Sequence, residues 1–264
     1  MPELPEVETL VRGLSGLRGS QISAVDVLDP RLNVTADAIV GATIESIARR
    51  GKYIVLNLDN QGSLIVHLRM SGRLVLVQDP NQARYTRLIL HLSNGEAIYF
   101  INPRRLGTVV YCPQGFNHAL GVEPLSAPFS VERLAELAAC SRAPIKLVMM
   151  DQRKIAGIGN IYAAEALWRA GIDPRRAANT LDSGQVAALH RSVVDVLSEA
   201  IEQMGTTFGE SVSDYRDSEG NKGRFQNHLS IYGRHGEPCE RCGETIERIV
   251  QRGRSTCFCP HCQR

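Results

Sequence analysis

Two parts of this 264-residue chain combine residue types that could do chemistry. The first is its start, MPELPEVETL. Removal of Met1, which a small second residue permits, leaves Pro2 as a free secondary amine with an ordinary pKa near ~8 and a nucleophilic fraction at neutral pH. Glu3 and Glu6 follow it in the sequence. The same residues also read as a plain helix start. Pro5 suits the first turn, Glu6 and Glu8 favour the positive end of the dipole, and Leu4, Val7, Val11 and Leu14 make one apolar face. That reading explains Pro5 and leaves Pro2 unexplained.

The second part is the end. Cys112 and Cys140 stand alone, whereas Cys239, Cys242, Cys257, Cys259 and Cys262 crowd the last 26 residues. CERC and CPHC, separated by 16 residues, fit a four-cysteine zinc pattern through Cys239, Cys242, Cys259 and Cys262. Soft thiolates close a tetrahedral shell, so such a Zn²⁺ is structural and its binding energy is folding energy. Disulfides and an iron–sulfur centre are the alternatives; a reducing compartment disfavours the first and the spacing fits the second less well. Cys257 reads as a small packed hydrophobe and His261 as a spectator. Arg248, Arg252 and Arg254 lie between the knuckles, where forked donors could meet phosphates or simply decorate a surface.

A third, weaker signal is KIAGIGNIYAAEAL. Gly157 and Gly159 precede an amphipathic helix, with Asn160 where a cap would sit, and a helix N-terminus beside glycines can receive a phosphate. A turn and a cap would look the same.

These groups need elements to hold them. Residues from about 20 to 111 read as strands, with turns at Asn60 to Gly62, Ser71-Gly72 and Asn94-Gly95, and Leu88, Leu90 and Leu92 alternating with polar neighbours. This predicts a β-sandwich or barrel. Around 116–130 the pattern breaks, and beyond it the period becomes helical in SVERLAELAA, APIKLVMMDQ and NIYAAEALWRAG, then in a longer helix after Ser183 that stops at Gly205. Lys146 on the second of these helices and His67 on a strand need no role in binding.

Hydrophobic content of 43% and charged content of 22% describe a globular protein, and no apolar run reaches the ~20 residues of a membrane span. The acidic start is unlike a targeting peptide, so a cytoplasmic location is expected. A net charge of +2 falls short of a very basic nucleic-acid binder, so any such surface is local. From Asn221 onward there are eight Lys/Arg against four Asp/Glu.

Taken together, PELPEVET, RGKY, HLRMSG, NPRRLG, GIGNIYAAEALWRAGIDP, YGRHGEPCERCG and the closing cysteine ribbon resemble the bacterial formamidopyrimidine-DNA glycosylase family, in register from residue 2 to the last cysteine. The resemblance implies an α+β chain: a β-sandwich domain with flanking helices over 1–122, a helix-two-turn-helix domain with a lesion-recognition loop over 123–225, and a zinc finger over 226–264. It also implies a nucleoid-associated base excision repair enzyme; a monomer is expected because the sequence shows no heptad seam or other clear oligomerisation signal. Such an enzyme removes oxidised purines (8-oxoguanine, formamidopyrimidines) from double-stranded DNA and cleaves the abasic site by β,δ-elimination.

In that family Pro2 is the nucleophile that forms an iminium with the sugar, Glu3 the adjacent acid/base, and Lys52 a group near the phosphate and reacting sugar. Asn160 and Arg254 grip the flanking phosphates. Met70, Arg104 and Leu106 fill the space left by the flipped nucleotide, with Arg104 facing the orphaned base and Arg105 in phosphate or structural contacts. The family usually has Phe where this chain has Leu106, so stacking area is smaller. The loop from about Ser213 to Arg224 corresponds to the one that closes over the everted base. An endonuclease VIII-like enzyme for oxidised pyrimidines and a non-catalytic DNA-binding zinc protein are the competing expectations.

Overall fold

The computed structural model describes residues 1–76, 80–209, 211 and 214–264. Helix α1 (Leu4–Leu14) buries Leu4, Val7, Leu10 and Leu14, which helical spacing brings onto one stripe. Next come β1 (Ile22–Val27), a short α2 (Ala36–Ile39) that periodicity does not reveal, β2 (Ile44–Arg50), β3 (Tyr53–Leu58) and β4 (Ser63–His67). They are followed by β5 (Arg73–Val75), β6 (Thr86–Leu92), β7 (Ala97–Ile101) and β8 (Thr108–Cys112). These strands form two four-stranded antiparallel sheets, ordered β1-β6-β7-β5 and β2-β3-β4-β8.

Leu56, Leu64 and Val66 from one sheet meet Leu88, Leu90, Ile98 and Phe100 from the other in one core, which Val7, Leu10 and Leu14 of α1 complete. The alternation of Leu88, Leu90 and Leu92 with half-buried neighbours is the inward-outward pattern of such a layer. The turns fall where the sequence puts them: Gly95, at φ 87°, turns the β6–β7 hairpin. Ser71-Gly72 lies between β4 and β5, and Asn60 to Gly62 between β3 and β4.

Beyond the sandwich lie α3 (Val131–Ala139), α4 (Ile145–Met150), α5 (Asn160–Ala170), α6 (Ser183–Glu202) and a ribbon of β9 (Glu247–Gln251) and β10 (Arg254–Phe258). Ser130 caps α3 by accepting the Arg133 N–H, and Asp182 with Gln185 forms a reciprocal box at the head of α6. Paired bonds of 2.7 Å from Arg169 to Glu199 tie α5 to α6. By contacts the chain makes two compact units. One is Met1–His118 with Ile201–Gln226; the other is Ala119–Ala200 with Asn227–Arg264. Among the described residues no helix is long and apolar enough to cross a membrane.

Candidate active site and nucleic-acid interface

The first unit holds Pro2, Glu3, Lys52, Met70, Arg104, Arg105 and Leu106; the second holds Asn160, Arg254 and the four paired cysteines. Pro2 and Glu3 sit just ahead of α1, both buried, and Glu3 is the N-cap. The Glu6 carboxylate accepts the Glu3 N–H at 2.7 Å through Oε2 and the Thr206 N–H at 2.8 Å through Oε1. The sequence reading gave Glu6 only a dipole role, because the partner segment lies at the far end of α6. Gly205 makes the approach possible: its φ is 77°, and a Cβ there would meet Glu6 Cγ at 2.8 Å.

Lys52 is buried on the tight turn between β2 and β3, next to Gly51 at φ 57°. Arg49 links this turn to α1. Its Nε donates to Glu8 at 2.9 Å and its Nη1 to the Gly51 carbonyl at 3.3 Å. His67, opposite Tyr53 in the β3–β4 ladder, is more deeply buried than a half-exposed strand histidine would be. Its Nδ1 accepts the Arg69 N–H at 3.0 Å. Burial, with Arg69 and Lys52 nearby, pushes its pKa down to about 3, so the ring is neutral.

Met70 and Leu106, 52% and 50% exposed, lie on two turns of the same construction. Each follows an arginine in the left-handed region, Arg69 and Arg105, both at φ 53°. Such backbone is strained for a side-chain-bearing residue and must be held by its surroundings. The turns are joined where Ser71 Oγ accepts the Arg104 N–H at 3.4 Å. Arg105 Nε lies 3.8 Å from the Asp29 carboxylate, which Arg31 also pairs and whose pKa falls to about 2, chiefly through the Arg31 hydrogen bonds. Arg104 and Arg105 are both exposed, and only Arg105 is engaged by a carboxylate among the described residues.

Part of the loop identified in the sequence also belongs to the first unit; Ser213 lies outside the described residues. Buried Arg73 on β5 donates to the carbonyls of Asp214 at 2.8 Å and Ser211 at 2.9 Å. The Asp217 carboxylate accepts the N–H groups of Glu219 and Asn221, and the Leu76 N–H reaches the Ser218 carbonyl.

In the second unit the cap of α5 is Gly159, and Asn160 is the first helical residue, which corrects the cap assignment. Extended backbone at Gly159 leaves the Asn160 side chain clear of its own helix end. It donates instead to the Ser255 carbonyl at 3.0 Å, next to Arg254 on β10, and its Oδ1 is buried without a partner. Gln152 braces the glycine turn, accepting the Gly157 N–H and donating to the Ile158 carbonyl. Arg254 is exposed. Lys146 is 1% exposed and donates to Thr256 at 2.7 Å, a structural contact between α4 and β10.

The four paired cysteines bring their sulfurs within 4.8 Å of one another, with Cys242 and Cys259 3.5 Å apart and Cys239 and Cys262 4.0 Å apart. Zn–S bonds of ~2.3 Å in a tetrahedron require S···S near ~3.8 Å, so the donor set fits. Burial and the adjoining sulfurs push Cys262 up to about 12. Cys257 packs with Trp168, Ile231 and Ile246 as the small hydrophobe expected. Arg241, inside the first knuckle, stacks on Trp168 at 3.9 Å and donates to its carbonyl. Fully buried Glu165 on α5, unmarked in the sequence reading, accepts the N–H groups of Ser230, Ile231 and Tyr232 and so fixes the segment entering the finger. Burial raises its pKa.

Comparison with known proteins fits this arrangement. Residues 1–109 match the formamidopyrimidine-DNA glycosylase N-terminal domain, 120–211 its H2TH domain, and 236–264 the zinc finger found in FPG and IleRS. The formamidopyrimidine-DNA glycosylase of Chloroflexus aurantiacus is 44% identical over 100% of this chain and 98% of its own. That of Pelotomaculum thermopropionicum is 43% identical over 100% and 99%. The crystal structure of the MutM (Fpg) protein of Thermus thermophilus superposes with a TM-score of 0.90 at 38% identity, covering 99% of this chain and 98% of that one. A Lactococcus lactis Fpg mutant in complex with Fapy-dG-containing DNA gives 0.88 at 32% identity, with 100% of both chains covered. The chain belongs to the formamidopyrimidine-DNA glycosylase family, DNA glycosylases of base excision repair.

Proposed function

We propose that this enzyme excises oxidised purines, 8-oxoguanine and formamidopyrimidines, from duplex DNA and then cleaves the abasic site, with Pro2 as nucleophile. The observation that carries the proposal is the placement of Pro2 beside Glu3 at the head of a helix, where buried Glu6 accepts the N–H of the cap residue Glu3. Met1 is removed first. The Pro2 nitrogen bonds to C1′ as the bond from C1′ to the base breaks, and the base leaves with its electron pair and takes up a proton from solvent. The Glu3 carboxylate takes the N–H proton from the Pro2 nitrogen and passes it to the ring oxygen; the C1′–O bond breaks, the sugar opens, and the freed nitrogen lone pair forms the C1′ iminium. The iminium acidifies C2′–H; loss of that proton expels the 3′ phosphate, and a second elimination expels the 5′ phosphate.

Lys52 supplies a cation at the reacting sugar and its phosphate. Asn160 and Arg254 bind the phosphates that flank the lesion, while Met70, Arg104 and Leu106 occupy the space vacated by the everted nucleotide. Zinc on Cys239, Cys242, Cys259 and Cys262 is structural, since four protein ligands leave no open position. By function we assign catalysis to 1–122, DNA gripping and lesion recognition to 123–225, and the metal finger to 226–264, in a monomer acting in a bacterial cytoplasm. Support for the DNA substrate comes from relatives solved with Fapy-dG-containing DNA and with abasic-site DNA.

The test is borohydride trapping on a duplex with one 8-oxoguanine opposite cytosine, using protein whose intact mass shows Met1 removed. A covalent complex that Pro2→Gly abolishes is the expected result. Its absence from the unsubstituted enzyme, with complex formed on thymine glycol instead, would move the substrate to oxidised pyrimidines.

A further inference from the structure

Every polar group of Asn102, which follows β7, is engaged, and both polar atoms of its side chain are committed to the loop that carries Arg104 and Leu106. Asn102 is 1% exposed. Its N–H donates to the Tyr85 carbonyl at 2.9 Å, and its own carbonyl accepts the Arg105 N–H at 3.2 Å and Arg87 Nε at 3.4 Å. The side chain then closes the loop upon itself. Nδ2 donates to the Gly107 carbonyl at 3.0 Å, and Oδ1 accepts the Gly107 N–H at 3.4 Å.

Gly107 is held so closely that a Cβ would meet Phe100 Cζ at 2.9 Å and Asn102 Nδ2 at 3.2 Å. Between these fixed ends, Arg105 takes its left-handed conformation and its guanidinium turns toward Asp29. What remains presented is Arg104 and Leu106, and Ser71 Oγ locks this loop to the Met70 turn. An arginine that reads a base must be held, because a guanidinium has only donors and discriminates by where its fork points. An unpaired cytosine offers it two adjacent acceptors, N3 and O2. Adenine sets its N1 acceptor beside an amino donor.

We propose that Asn102 is the positioning residue that gives the enzyme its opposite-base preference, by clasping the 102–107 loop so that Arg104 meets the orphaned base in one orientation. This rests on the proposed role of Arg104. Asn102 is buried and acts through the loop it clasps.

The experiment compares single-turnover excision of 8-oxoguanine opposite cytosine and opposite adenine for the unsubstituted enzyme, Asn102→Ala, Asn102→Asp and Ser71→Ala. Asn102→Asp keeps size and the acceptor for the Gly107 N–H but loses the donor to the Gly107 carbonyl. Ser71→Ala removes only the link between turns, so it keeps the question answerable if Asn102→Ala fails to fold. On the proposed role of Arg104, the unsubstituted enzyme is expected to excise faster opposite cytosine. The expected result is that this ratio contracts about fivefold in Asn102→Asp and less in Ser71→Ala, the scale of one or two lost hydrogen bonds. Rates that fall equally opposite both bases, with the ratio intact, would show a purely structural residue and overturn the inference. An unsubstituted enzyme that excises 8-oxoguanine with no opposite-base preference would overturn the role of Arg104 and this inference with it. Failure to excise at all would instead mark failure of the oxidised-purine reading.

Discussion

Glu6 and Thr206 are joined by a 2.8 Å hydrogen bond across 200 positions of sequence, and the other oxygen of the same carboxylate holds the N–H of Glu3. The segment after α6 is thereby fastened to the residue that follows Pro2. Glu6→Gln keeps the shape but turns an amide NH₂ toward one of two backbone donors. Leaving a buried donor unsatisfied costs about 1–3 kcal/mol. Urea denaturation is expected to show a loss of that size, and borohydride trapping a slower reaction with Pro2 still in place.

Removal of zinc has an internal reporter. Trp168, the only tryptophan of the chain, packs with Cys239, Cys257 and Cys259 and under Arg241. Chelation, or Cys242→Ser, is expected to shift Trp168 emission to the red and abolish binding of lesion DNA. Metal analysis of the untreated protein should give one zinc per chain. An unchanged emission spectrum after zinc loss would show that the ribbon folds without metal.

The neutral state of His67 predicts a stability effect with a definite sign. Its pKa is about 3 in the folded protein against an ordinary 6.5, so the unfolded chain binds a proton that the folded one refuses. The associated stability is complete above pH 6.5 and is lost progressively as pH falls toward 3. His67→Gln should flatten the fall in denaturation midpoint between pH 6.5 and pH 5 (about 1.5 pH units of the window), whereas activity near neutral pH should show no ionisation of this ring. Nitrogen NMR should find the proton on Nε2, since Nδ1 accepts from Arg69.

DNA affinity is expected to fall linearly on a logarithmic salt scale. Arg254→Ala, which removes one exposed cation, should reduce that slope by about one. An unaltered slope would take Arg254 out of the phosphate contacts.

Much of this molecule is legible in its sequence. Strand alternation at Leu88, Leu90 and Leu92, the CxxC pairs and the start PELPEV each depend on near neighbours, so local spacing reports them. What spacing could not report are residues whose partners are remote. Glu6 finds Thr206, Arg73 finds Ser211 and Asp214, Lys146 finds Thr256, and Glu165 finds three N–H groups beyond position 229. All four look like surface charges in a helix or strand until the fold buries them. Asn102 escapes for a different reason: its contacts are local, but an Asn before Pro reads as an ordinary turn residue. Asn160 occupies the first helical position and not the cap, because Gly159 takes the extended cap conformation itself.

The first unit is assembled from two stretches of chain, Met1–His118 and Ile201–Gln226. During synthesis the amine of residue 2 therefore exists long before the segment that holds Glu6 in place. A ribosome must deliver residues beyond Thr206 before the N-terminal helix acquires its final anchor. Fragments that stop short of Thr206, whether from stalled translation or proteolysis, carry Pro2 and Glu3 without this brace. The order in which the polypeptide emerges thus leaves the start of the chain without this anchor until Thr206 of the 264 residues has been made.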